Sequence, residues 1–259
     1  MAGSLIERTL GVLDALSGDA RGLPLQTLAE QLAIPKSAAH RICHELIRLG
    51  YVRQDPLSGH YQLSTRLVAM GCRYLASSGA ADIVQPILDR LAEDTGELVR
   101  LGIIEGNHQI WIAKAQGARS GLRYDPDMGR EAPLYYTASG HAWLASMSDD
   151  EALALVEAQG IGDPTHYGPN APRSHAELIE RLNQARTHGY SWQRENAAPG
   201  TSALAAVVPH PVDGHILGVL SIAGPSVRLT EPRIHQLAPL LLRAAVELSQ
   251  SSQASRLFS

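Results

Sequence analysis

Ser37, His40, Arg41, His44 and Arg48 recur at a spacing that lays them along one stripe of an α-helix. A line of hydroxyl, imidazole and guanidinium groups breaks no bonds. It offers hydrogen-bond donors to phosphate oxygens and base edges, and an arginine can read a guanine through two parallel bonds. Lys36 and Ala38 open the same stretch, and Arg53 and His60 follow on either side of a short turn. Between 36 and 66 five basic residues (Lys36, Arg41, Arg48, Arg53, Arg66) stand against Glu45 and Asp55, a net charge of +3. Nucleic-acid contact is the chemistry these residues suit.

Catalytic chemistry has no comparable foothold. The chain has no GxxxxGK phosphate loop, no GxGxxG, no GxSxG and no HExxH. His175-Ala176-Glu177 is half of a zinc deaminase signature whose cysteine pair is missing. His210 and His215 flank a hairpin turn and could meet across it, but turn histidines are ordinarily solvated, and no ligand set is expected there. An enzyme, a metal and a cofactor are all argued against.

The elements that must position the basic stripe are legible around it. Leu25, Leu28, Ala29 and Leu32 recur at helical spacing, and Ile34-Pro35 interrupts them, because a residue before proline is pushed out of the helical region. A second helix follows with Ala39, Ile42, Cys43 and Leu46 on one face and Gly50 just past its end. Tyr51–Gln54 and His60–Leu63 then form a hairpin across Asp55-Pro56-Leu57-Ser58-Gly59. Helix, proline turn, helix and hairpin in one register describe a winged helix-turn-helix whose second helix enters the major groove.

Upstream, residues 4–16 read as a helix with Ile6, Leu10, Leu13 and Leu16 turned inward. Downstream, 65–76 is a helix ended by Ser77-Ser78-Gly79. The organisation expected is a DNA-binding domain over 1–64, a linker helix over 65–79 and a second domain over 80–259. That second domain mixes helices at 82–94, 139–146, 149–159 and 174–188 with strands at 98–104, 109–115, 190–195, 203–209 and 216–223. Leu122-Arg123-Tyr124 is a short strand within the loop 117–130. A last helix starts at Thr230, whose hydroxyl is placed to cap it. Helices around a mainly antiparallel sheet make this an α+β sensor domain.

Composition agrees. The net charge of −4 is unevenly spread, with +1 over residues 1–66 and −5 over the remainder, so only the small domain presents a positive face. Few phosphates are neutralised per copy, and affinity therefore demands dimerisation. Apolar residues on the first helix and on the 65–76 helix, which a lone winged helix cannot bury, point the same way. Two cysteines, no apolar run of membrane length and no signal-peptide pattern lead us to expect a soluble cytoplasmic protein.

The segments TLAEQLAIPKSAAHRI and LIRLGYVRQDPLSGHYQLSTRLVAMG, then LDRLAEDTGELVRLGIIEG, MGREAPLYYTASGHAWLA, RENAAPG and ILGVLSIAGP, resemble in content and order the IclR-type bacterial transcription factors. The likeness spans roughly residues 5 to 250. It implies a GAF-like α/β effector-binding domain, a palindromic double-stranded operator, a homodimer or dimer of dimers, and a small organic acid as effector. Carried over position by position, the family's ligand contacts fall on Tyr124, Ala132, Ala138, Ser139, Gln193, Thr201, Ser202, Ala203, Ser221 and Ala223. The family's acid, cysteine and serine are replaced by Gln193, Ala203 and Ala223. This implies a wider, less polar pocket and an aromatic acid such as a hydroxybenzoate. Ser37-Ala38 stands where the family has Ser-Thr, one hydroxyl fewer for DNA.

The reading that results is a regulator, a repressor of a catabolic operon, responding to an organic acid. A small-molecule hydrolase with an accessory helical domain is the alternative, and it lacks an activated nucleophile. An architectural DNA binder would have no use for a sensor domain.

Overall fold

The computed structural model of the chain describes residues 4–126, 128–163, 165 and 167–255, with backbone alone at 80–82. Residue 127 of the long loop and the end of the Ser/Gln-rich tail lie outside them. The chain divides into two units, one up to Ser77 and one from Ser78 onward, so the 65–79 linker falls mostly with the first.

In the first unit, Ser4 caps α1 (Leu5–Ser17) through a reciprocal capping box with Glu7. Only Val12 and Leu16 of α1 are buried, with Leu13 packed beside them. Ile6 and Leu10, expected inward, are 71% and 54% exposed. The core of three helices is too small to cover two faces of α1, and the outer face keeps Leu5, Ile6 and Leu10 free for something else. Helix α2 (Leu25–Gln31) ends before the proline, and Ala33 turns the chain at φ +50°, a left-handed conformation unusual for a residue with a Cβ. Helix α3 (Lys36–Arg48) starts from Pro35 and ends at Leu49, with Gly50 at φ +79° as its sequence position demands. Strands β1 (Val52–Gln54) and β2 (Tyr61–Leu63) pair antiparallel. Helix α4 (Thr65–Ser78) follows. Its Arg66 donates to the Leu49 carbonyl at 2.8 Å and lies over the Tyr51 ring.

The second unit is an antiparallel sheet of order β4-β3-β7-β6-β5. Its strands are β3 (Leu98–Glu105), β4 (His108–Gln116), β5 (Ser191–Arg194), β6 (Thr201–Pro209) and β7 (Ile216–Pro225). Because side chains alternate across a strand, each face has its own helices. Val99, Leu101, Leu204, Leu220 and Ile222 pack on α5 (Ala80–Thr95) and α9 (Glu231–Ser251). Ala205 and Val219 lie on the other face with α6 (Ala138–Leu144), α7 (Asp149–Gln159) and α8 (His175–His188). Leu88, Leu182, Leu204 and Leu220 are wholly enclosed, each worth about 1.5–3 kcal/mol of burial.

Two local expectations give way. Residues 122–124 form no strand, since side chains rather than a backbone ladder hold that loop. Thr230 stands at the N-cap of α9 without a side-chain cap bond, and Pro232 in the first turn removes one of the donors it would satisfy.

Candidate functional site

Helix α3 buries Ala38, Ala39, Ile42, Cys43 and Leu46, while Lys36, Ser37, His40, Arg41, His44 and Arg48 are exposed. Burial raises the Cys43 thiol to about 11, so it serves as a packing group with no nucleophilic character. Ala38, expected on the DNA-facing side, turns inward at 9% exposure. It lies at the border of the buried face, four residues before Ile42, and packs with that face. Arg48 is paired with Glu45 at 2.8 Å, an exposed pair of little energetic weight that still occupies its guanidinium. Arg41 has no hydrogen bond or ion pair among the described residues, which leaves its fork free for a base edge or a phosphate.

The wing is shaped by one side chain. Asp55 accepts the backbone N–H groups of Leu57 and Ser58 and the Ser58 hydroxyl, and these donors hold its carboxyl below the usual range. Arg53 is exposed on β1 and His60 is half-buried at the far side of the turn. Arg66, counted with the basic residues of this segment, is spent on Leu49 and Tyr51.

In the second unit a cavity of about 50 Å³ opens on the α6 side of the sheet. It gathers Tyr124, Ala138, Ser139, Gln193, Thr201, Ser202, Ala203, Ser221 and Ala223, residues far apart in sequence. Ala132 is not among them. It is fully buried elsewhere, its N–H bonded to the Gln109 carbonyl as residues 129–132 run beside the edge strand β4. Tyr124 is delivered by a loop with several moorings. Gln116 donates to the Tyr124 carbonyl, Lys114 meets Asp125 at 2.6 Å, and Arg228 donates to the Leu122 carbonyl while gripping Glu97 with two bonds of 2.8 Å.

The donors expected for an acid are mostly in use. Thr137 caps α6 by accepting the Gly140 N–H, and a Cβ at Gly140 would meet the Leu134 backbone at 2.5 Å. Ser202 donates its hydroxyl to Ser226, and Ser221 leans on the Arg100 carbonyl at 3.4 Å. Gln193 donates to Nδ1 of the fully buried His141 and accepts from Arg181 at 3.2 Å. His141 in turn donates from Nε2 to the Tyr135 carbonyl at 2.8 Å, and burial lowers its pKa to about 4, so it is neutral at physiological pH. Nor is the cavity wide. Ala203 and Ala223 do leave room, but Arg100, Trp111, Tyr124 and Tyr136 line the same space and fill it.

Arg100, Trp111, Tyr136 and Asn196 were not foreseen. For Arg100 a signal existed, since a lone charge interrupts the apolar run Leu98-Val99-Arg100-Leu101 in the middle of a strand. The guanidinium is 6% exposed and lies 3.8 Å from the Trp111 ring centre. Its Nε and Nη1, the Trp111 Nε1 and both amide atoms of Asn196 are buried without a hydrogen-bond partner.

His210 and His215 do meet, stacked at 4.8 Å with both Nδ1 atoms on one oxygen of Asp213. Nothing in the sequence singles out that carboxylate. It draws both imidazoles in and is itself held down to about 2, chiefly by His215. The triad, with His210 half-buried and Asp213 and His215 exposed, is paired within the turn.

The family described as the IclR helix-turn-helix domain matches residues 5–56, and that described as bacterial transcriptional regulator IclR C-terminal matches residues 72–250. Over 254 residues the chain is 29% identical to the acetate operon repressor of Salmonella typhimurium, covering 97% of this chain and 90% of that one. The IclR transcriptional regulator from Alicyclobacillus acidocaldarius has a TM-score of 0.83 at 24% identity, over 96% of this chain and 98% of that chain. An IclR homolog from Microbacterium hydrocarbonoxydans complexed with 4-hydroxybenzoate gives a TM-score of 0.76 at 21% identity, over 97% and 100%.

Proposed function

The chain belongs to the IclR family of bacterial transcriptional regulators, and from that premise we propose that it represses a catabolic operon and is released or retained by a small organic acid bound in its second unit. It is a DNA-binding regulator and not an enzyme; the hydrolase alternative has no support. The observation that carries the reading is the two-sidedness of α3, with its apolar face in the core and Lys36, Ser37, His40 and Arg41 presented to solvent. In our reading Arg41 meets a base edge, and Arg53 on the wing meets a phosphate.

Each copy offers only a few phosphate contacts, so a second copy doubles the footprint. The exposed apolar residues Leu5, Ile6 and Leu10 of α1 and Val68, Met70 and Tyr74 of α4 are the surfaces proposed to bring two cytoplasmic copies together. Two-fold symmetry then asks for a palindromic operator with half-sites about 34–36 Å apart. Effector binding acts on DNA affinity only by favouring one arrangement of that dimer.

The acid is placed in the cavity beneath Tyr124. An aromatic acid such as 4-hydroxybenzoate, the ligand of the Microbacterium homolog, is supported by the aromatic lining of Trp111, Tyr124 and Tyr136. Engineered cavities that admit benzene measure about 150 Å³. With about 50 Å³ open here, an aromatic ring enters only if Tyr124 swings outward with its loop. Nuclease footprinting on the DNA flanking this gene tests the proposal. A protected site of two inverted halves is expected, whose protection changes with 4-hydroxybenzoate or a smaller carboxylate. Protection indifferent to sequence would refute it.

A further inference from the structure

A buried guanidinium ordinarily faces a carboxylate, because an uncompensated charge is costly to remove from water. Arg100 faces none. Among the described residues its electrostatic surroundings reduce to burial and the Tyr124 phenol. The carboxylate three residues before it in sequence, Glu97, is held at both oxygens by Arg228. One side of the guanidinium lies on the Trp111 ring, which offsets a part of the missing charge. The Nε and Nη1 donors remain unmet at the wall of the cavity. Trp111 Nε1 and the Asn196 amide, also unmet, line the same space. Three side chains from β3, β4 and the loop after β5 thus bring unmet polar atoms to the lining of one cavity.

We propose that Arg100 anchors the effector's carboxylate through its guanidinium, with Trp111 and Asn196 meeting a second polar group, so that the ligand is a carboxylate bearing a hydroxyl. This rests on the reading above that the cavity is the effector site. A planar two-oxygen anion matches two adjacent donors of the fork. Asn196 offers both a donor and an acceptor, which a hydroxyl can engage at once. A neutral ligand would leave the guanidinium uncompensated.

The test uses the full-length protein and thermal denaturation followed by tryptophan fluorescence. Sodium glycolate and sodium 4-hydroxybenzoate are compared with sodium chloride at equal ionic strength and with the neutral amides glycolamide and 4-hydroxybenzamide. At least one of the two acids is expected to raise the midpoint saturably by several degrees, with its amide at least tenfold less effective. Arg100→Met should abolish that shift and melt no lower than the native protein in chloride, since it removes an unpaired charge. Arg100→Lys should keep a weakened response and guards against a variant that fails to fold. The proposal is overturned if neither acid exceeds chloride, if amides match acids, or if Arg100→Met responds as the native protein does. Gel retardation on flanking DNA separates this from the wider reading. Operator binding should survive in both variants, whereas a native protein that binds acid but no DNA would refute the regulator and leave Arg100 standing.

Discussion

Acidification from pH 7.5 to 4.5 should unfold the second unit more readily, and His141 supplies a defined part of the effect. The ring is fully buried, its Nε2–H donated to Tyr135 and its Nδ1 accepting from Gln193. Burial sets its folded pKa at about 4 against an ordinary 6.5. Between those values the unfolded chain binds a proton that the folded one refuses, so stability rises with pH there. The contribution is complete above pH 6.5 and drains away as pH falls towards 4. At about 1.4 kcal/mol for each pH unit, the gap amounts to about 3 kcal/mol, a large share of a typical total of about 5–15 kcal/mol. Trp111, Trp143 and Trp192, the protein's three tryptophans, all lie beyond Ser78. Urea unfolding read by tryptophan fluorescence therefore reports this unit alone. His141→Gln should start less stable at pH 7.5 but lose about 3 kcal/mol less on the way to pH 4.5. Parallel decline of the two proteins would refute the reasoning.

Arg41→Ala should cost about 1–3 kcal/mol of operator affinity by fluorescence anisotropy at fixed salt, while Arg53→Ala weakens all duplexes alike and flattens the salt dependence. No effect from either would mean that α3 and the wing are misassigned. Light scattering at micromolar concentration should give a dimer or a multiple of it, and replacing Leu5, Ile6 and Leu10 by serine should shift it towards monomer; a native monomer would contradict the reading of α1. Ala33→Gly should hold or raise the stability of the first unit by up to about 1 kcal/mol in denaturant unfolding, because the left-handed turn at Ala33 strains a residue with a Cβ; clear destabilisation would show that the turn is not strained.

What the sequence made legible follows physical range. The inward face of α3, Ala39, Ile42, Cys43 and Leu46, is set by helical period and a single small core, and it reads directly. Ile6 and Leu10 have the same period, yet they lie outside. Periodicity reports which residues avoid water and not whether the protein itself or a partner covers them. The strand expected at Leu122-Arg123-Tyr124 does not form because the order of that loop comes from side chains outside it, Lys114 on Asp125 and Arg228, itself held by Glu97, on the Leu122 carbonyl. Of the ten residues carried over from the resemblance, nine line one cavity and Ala132 does not. The resemblance could not tell which donors were free. Gln193 and Ser202 look available in a list of polar residues and are engaged by His141, Arg181 and Ser226. Arg100, by contrast, leaves Nε and Nη1 unmet, which only the fold reveals.

Competition for a single labelled duplex tests the central claim most directly. Full-length protein is bound at about 150 mM salt to the protected site from its own flanking DNA, then challenged with the same duplex and with one of shuffled sequence. The native duplex should compete at least about 10³-fold better, and Arg41→Ala should erase most of that ratio. Equal competition by the two duplexes would contradict it.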